Sequence, residues 1–159
     1  MKFSSLRQEI EEARKHFKLL KEEFYEVDKN KWESILSNLQ NQFINYPHSF
    51  HWSWVNFKEE SFGLGNLPVR PFYFLDKLVP KEESVWFIAE EDYYKSKFWL
   101  YEGKINAIQK IIENTYGYEY YIASKKNKWL LCENHHEVLI GTGGYIINKL
   151  KNLMRDISE

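Results

Sequence analysis

The chain holds one cysteine, Cys132, in 159 residues. An internal disulfide is thereby excluded, and with it the stapled scaffolds of small secreted proteins. Neither sign of charge is in excess: 22 basic and 23 acidic side chains leave a net charge of -1. That balance offers no electrostatic case for a nucleic-acid partner, whose binding shows as a basic stripe or patch. Long apolar runs are missing too; none approaches the ~20 residues of a membrane-spanning helix. The opening MKFSSLRQEIEEARKHF turns charged at once and has no apolar signal-peptide core. With seven glycines and four prolines there is no flexible linker. The expectation is therefore one soluble, cytoplasmic domain, residues 1–159, large enough to bury about two thirds of its unfolded surface.

What the chain has in surplus is aromatic side chains, 18% of the total, within a hydrophobic content of 43%. The densest strand signal runs from Tyr118 to Gly144. Glu119–Ser124 is aromatic and β-branched, the polar Lys125–Lys128 interrupts it, and Trp129–Cys132 resumes it, which predicts a hairpin. Glu137–Ile140 adds a third short strand, so the three form an antiparallel meander. Gly141-Thr142-Gly143-Gly144 closes it where the backbone needs freedom at positive φ. Val85–Ala89 reads as a strand with Phe98–Tyr101 as its hairpin partner. Ile105, Ile108, Ile111 and Ile112 mark a helix ending near Gly117, and Ile146, Leu150, Leu153 and Ile157 mark another from about Tyr145.

The N-terminal half is read by the same periods. Leu6, Ile10, Ala13, Phe17, Leu20, Phe24 and Val27 are spaced by fours and threes, which predicts one long helix with a Ser5/Gln8 capping box. That spacing also admits a coiled-coil homodimer. Asn30 with Glu33 predicts the cap of a second helix through Trp32, Ile35, Leu36, Leu39 and Phe43. Ser49–Phe57 alternates with period two and predicts a strand; Lys58–Arg70, with Gly63, Gly65 and Pro68, predicts a long loop; Phe72–Val79 predicts a further strand. The sum is an α+β fold: a mainly antiparallel sheet of about six or seven strands, packed by two N-terminal helices, a central helix and a C-terminal helix.

Three groups of residues could carry chemistry. Cys132, Glu133, His135 and His136 combine a thiol, a carboxylate and two imidazoles, which suits a small enzyme or a ligand-binding protein. The spacing fits zinc poorly, since no second cysteine pair exists and His16, His48 and His51 are remote. GTGG lacks the lysine of a phosphate-binding loop and the spacing of a dinucleotide fingerprint. Glu90, Glu91 and Asp92 end an apolar strand and are expected to emerge at a sheet end. With the Gly63/Gly65 loop they would form a surface for a protein partner, where charge mainly raises association rate. No catalytic residue, cofactor or metal is assigned, and a non-enzymatic binding module is the leading reading.

The segments VWFIAEE, FWLYEGK and EYYIASKKNKWLLCENHH resemble a family of uncharacterised bacterial proteins of similar length, over about Val85–Gly144. The resemblance implies no activity and no catalytic residue. The Lys-, Asn-, Ile- and Tyr-rich composition resembles that of proteins from low-GC Gram-positive bacteria. Small aromatic-rich α+β proteins of this look include immunity proteins that neutralise toxins.

If Cys132 and His135 were metal ligands, purified protein would carry near-stoichiometric zinc and Cys132→Ser would lose it. Elemental analysis is expected to find no bound metal in the wild type; zinc that disappears in the variant would reinstate the metal reading.

Overall fold

Val85–Ala89 offers no polar position to solvent, and a strand apolar on both sides needs cover on both faces. That is what the computed structural model shows over the residues it describes, 5–45, 53–92 and 96–158. In chain order these are α1 (Leu6–His16), β1 (Phe24–Glu26), α2 (Lys29–Phe43), a 3₁₀ turn (Ser53–Val55) and β2 (Ser61–Leu64). A second 3₁₀ turn (Pro71–Phe74) runs into α3 (Leu75–Leu78), followed by β3 (Val85–Asp92) and β4 (Ser96–Gly103). Then come α4 (Ile105–Thr115), β5 (Tyr120–Ser124), β6 (Leu130–Glu133), β7 (Leu139–Thr142) and α5 (Gly144–Ser158). The strands form one antiparallel sheet ordered β1-β4-β3-β5-β6-β7-β2. The α+β expectation holds.

Two cores lie on the two faces. Phe87, Ala89, Tyr101, Tyr120, Ile122 and Leu131 meet the apolar sides of α1, α3, α4 and α5, including Ile10, Leu75, Ile108 and Leu150. On the reverse face Ile88, Leu100, Tyr121, Ala123, Leu130 and Cys132 pack under Leu39 and Phe43 of α2. The alternation of neighbouring residues between the cores is the period of two that a strand imposes.

The Ser5 cap forms as expected: its Oγ accepts from Gln8 N–H, and its own N–H donates to Gln8 Oε1 at 3.0 Å. The long first helix does not form. It stops at His16, because Lys18 takes a φ of +54° and turns the chain. Phe24 then joins β1, opposite Gly103 and stacked on Tyr101 at 5.0 Å. Leu19 is buried, whereas Leu20 is 63% exposed, so the heptad-like spacing did not describe one stripe. The first helix is thus the 11-residue α1 rather than a stripe reaching Val27.

Other expectations are corrected by tertiary context. α2 begins at Lys29 behind Asp28, whose side chain makes no cap bond, rather than behind Asn30. Of the strand expected over Ser49–Phe57, residues 46–52 lie outside the described part; Ser53–Val55 is a 3₁₀ turn and Phe57 makes one isolated bridge to Ile44. The Lys58–Arg70 loop contains β2, which pairs along β7 from Ser61↔Thr142 to Leu64↔Leu139. The open edge of β7 recruits it despite Gly63, and its neighbour Gly65 follows directly. Phe72–Val79 is helical rather than extended: Pro71, with fixed φ and no N–H, suits a first turn. Phe72, Leu75 and Leu78, three apart, all turn into the core.

The meander ends at Gly143, whose φ is +102° and where an added Cβ would lie 2.4 Å from the carbonyl oxygen of Lys128. Left-handed strain and the clash together set an expected loss of about 2–5 kcal/mol for Gly143→Ala in urea denaturation. A loss below about 1 kcal/mol would mean that the turn relaxes freely.

Candidate functional site

The ladder of β3 with β5 reaches Ala89↔Tyr120 and continues one step, with Glu90 N–H donating to the carbonyl of Glu119 at 3.0 Å. Glu90 and Glu119 therefore stand opposite each other, on the face of Ile88 and Tyr121. Glu133 is paired with Tyr120 on β6 and belongs to the other face. All three carboxylates are buried, at 2%, 8% and 3% exposure. They converge on a cleft of about 470 Å³ at the end of the sheet, completed by Tyr116, Gly117, Tyr118, Asn134, His135 and Glu137. Among the described residues neither lysine nor arginine lines it.

Glu133 is held by phenols. Tyr120 donates to its Oε1 at 2.8 Å, and the Tyr116 hydroxyl lies 3.1 Å from Oε2 and 2.9 Å from Glu137 Oε1. Burial pushes the Glu133 carboxyl above the usual carboxylate range, and the two phenol bonds oppose that rise. Burial also raises the Tyr116, Tyr118 and Tyr120 phenols, with the Glu133 charge adding to it, so all three remain protonated. The Arg70 guanidinium lies over the Tyr116 ring, 4.4 Å from its centre, and brings a positive charge toward Glu133.

Glu119 is held differently. Its Oε2 accepts from the His135 backbone N–H at 2.7 Å and lies 2.6 Å from His135 Nδ1. Its Oε1 is sealed from solvent and has no hydrogen-bond partner among the described residues. The loop that delivers His135 is built by Asn134, whose Oδ1 accepts from the N–H groups of His136 and Val138. Glu137 takes a φ of +59° to close it. The His135 and His136 rings lie 4.0 Å apart, with the Trp54 ring edge-on to both.

The expected sites are redistributed by this geometry. Glu90 does not emerge at the surface; it lies inside the cleft. Glu91 accepts from Leu6 N–H and from the Trp99 indole, tying β3 to the start of α1. Asp92 ends β3. Gly63 and Gly65 lie at the far edge, with β5, β6 and β7 between β2 and β3, roughly 19 Å at ordinary strand spacing. The acidic strand end and the glycine segment are therefore not neighbours on the sheet. Cys132 is buried in the α2-side core, where burial and then Glu119 push its thiol well up, the opposite of a nucleophile's environment. Glu133 and His135 do reach the cleft, while His136 packs beside it.

Sequence reading missed Tyr116, Tyr118 and Glu119. A signal existed: Glu119 keeps step with Tyr121 and Ala123, and Glu90 with Ile88, so both carboxylates occupy inward positions. Among the described residues no group of three His, Cys, Asp or Glu side chains is placed to hold a metal, and no helix is long and apolar enough to cross a membrane.

Fold and cleft together define an α+β protein with an acidic site at the end of a seven-stranded antiparallel sheet. The profile of a family of unknown function, DUF6756, matches residues 2–154, and the chain belongs to that family. The match extends well to both sides of Val85–Gly144. No curated protein and no solved structure matches the chain.

Because its carboxyl is raised, Glu133 binds its proton more tightly in the folded chain than in the unfolded one. Its contribution to stability is complete below the ordinary value of 4.5 and is lost as pH rises through the folded value. Glu133→Gln has no such proton to lose. The stability of the wild type minus that of the variant is expected to fall from about pH 4 toward neutrality in denaturant titrations. A difference that grows with pH would reverse the sign assigned to Glu133.

Proposed function

We propose that the protein is a non-enzymatic binding module whose recognition surface is the acidic cleft and its rim. Its partner in this reading is a protein presenting a basic side chain, in the manner of an immunity protein neutralising a toxin. One observation carries the proposal: three buried carboxylates, Glu90, Glu119 and Glu133, converge on one cleft whose lining, among the described residues, holds no lysine or arginine. At Glu133 burial and the neighbouring Glu137 oppose charge, and an entering cation would offset both.

The rim supports a protein as the source of that cation. Arg70 lies over the cleft tyrosine Tyr116, and the large apolar side chains near it in sequence, Val69 and Tyr73, are 50% and 49% exposed. Aromatic and arginine side chains around a desolvated centre are the composition of interface hot spots. The alternative of an enzyme acting through Cys132 is disfavoured by its buried, neutral thiol.

The test begins with capture of the partner from the organism of origin and proceeds to binding kinetics. Glu137 is exposed at the cleft mouth, so Glu137→Lys is expected to slow association several-fold at low salt, with the effect shrinking at high salt. Tyr73→Ala is expected to weaken binding by about 1 kcal/mol or more, mainly through faster dissociation. Variants that bind like the wild type at both salt levels would remove the cleft and rim from the interface.

A further inference from the structure

We propose that a second cleft, at the Trp86 end of β3 and away from Glu90, binds a small-molecule phosphate monoester. It lies on the α2 side of the sheet, where Trp86 and its cross-strand neighbour Glu102 meet the loop from β1 into α2. Its volume is about 550 Å³, and its charged lining is Lys21, Glu26, Asp28, Lys31, Glu102 and Lys125. A space of that size suits an organic ligand rather than a bare ion.

Most of the carboxylates in this lining are already committed, whereas two of its lysines are not. Glu26 accepts from both Nε and Nη2 of Arg7, at 2.6 and 3.0 Å. Glu102, 15% exposed, accepts from the Tyr25 hydroxyl at 2.8 Å and pairs with Lys125 Nζ at 3.0 Å. Among the described residues Lys21 and Lys31 form no ion pair, and neither does Asp28. The cleft thus keeps two unpaired ammonium groups against one unpaired carboxylate. α2 adds to that excess: Lys29 and Lys31 stand in its first turn, where no acidic residue balances the positive end of the helix dipole.

The number and setting of the lysines favour phosphate over a carboxylate. A phosphate monoester carries nearly two negative charges at neutral pH and presents three acceptor oxygens, which matches two free ammonium groups and a third donor. That third donor is Lys125, fixed by Glu102 and laid over the Trp86 ring with Nζ 5.0 Å from its centre. Lys21 is placed in the same way, 5.5 Å from the centre of the Tyr25 ring. Two of the cations are therefore positioned by aromatic rings before any ligand enters, which lowers the cost of ordering them on binding. The organic part of the ligand then meets Val27, Ile35 and Trp86, the apolar part of the lining.

The experiment is an amide and indole chemical-shift titration of the full chain at neutral pH with phenyl phosphate, inorganic phosphate and phenol. Saturable shifts at Val27, Lys31, Lys125 and the Trp86 indole are expected with phenyl phosphate. Inorganic phosphate is expected to bind about fivefold or more weakly, for want of apolar contact, and phenol not to saturate. Lys21→Gln and Lys31→Gln change exposed side chains and are expected to weaken phenyl phosphate about two- to fivefold each, and about tenfold together. Lys151→Gln, on α5 across the sheet, is the control and is expected to change nothing.

Inorganic phosphate binding as tightly as phenyl phosphate would overturn the monoester, and phenol moving the same resonances to saturation would overturn the anion. The site itself is overturned by an absence of saturable shifts, by unchanged affinity in the folded double variant, or by an equal loss in Lys151→Gln. None of these outcomes bears on the acidic cleft, whose test is separate.

Discussion

The fold depends on the burial of β3, β5 and β6 on both faces. Val85, Phe87, Ile88 and Ala89, all of β5, and Leu130–Cys132 are inaccessible or nearly so. Such a ladder is stable only beneath two covers, which is why α1, α3, α4 and α5 occupy one side and α2 the other. The backbone ladder is indifferent to the side chains it carries. It runs on past the apolar residues to Glu90 and Glu119, and on β6 to Glu133, drawing carboxylates under the same covers. The acidic cleft is thus a direct product of strands that outlast their apolar sequence.

Each carboxylate then meets a different environment. Glu91 faces the first turn of α1 and accepts from Leu6 N–H, where the helix dipole favours a negative charge. Glu133 sits among phenols too high in pKa to lose their protons, and these compensate part of its desolvation. Glu119 is half satisfied, through a histidine that the Asn134 turn delivers. The sheet end thereby holds carboxylates that serve the protein's own bonds in three different ways.

Sequence pattern revealed the elements that keep one period throughout. Val85–Ala89 with its hairpin, the Tyr120–Thr142 meander, α4, α5 and the Ser5/Gln8 cap were all legible for that reason. Where two short elements shared an accidental spacing, the reading failed. Leu6 to Val27 mimicked one helix, although Lys18 breaks it and a strand follows. Phe72–Val79 looked extended because aromatics favour strands, while Pro71 and the threefold spacing favoured a helix. β2 was hidden by its glycines, since its stability comes from the edge of β7 rather than from its own residues. The site was half legible: Glu133, His135 and Glu90 were singled out, but their convergence with Tyr116, Tyr118 and Glu119 depends on strand register. Register brings residues 90, 119 and 133 together; no local period reports it.

Stability does not account for a cleft of this composition. Replacing buried charged groups with well-packed apolar ones is commonly neutral or stabilising, so a fold seeking stability would fill this space with hydrocarbon. Elsewhere the chain follows local rules closely, with Ser5 and Gln8 capping α1, alternating faces along β3 and β5, and glycine at the strained φ of residue 143. It departs from them at the sheet end, where three buried carboxylates line one cleft. Departures of that kind concentrate where a chain serves something other than its own fold.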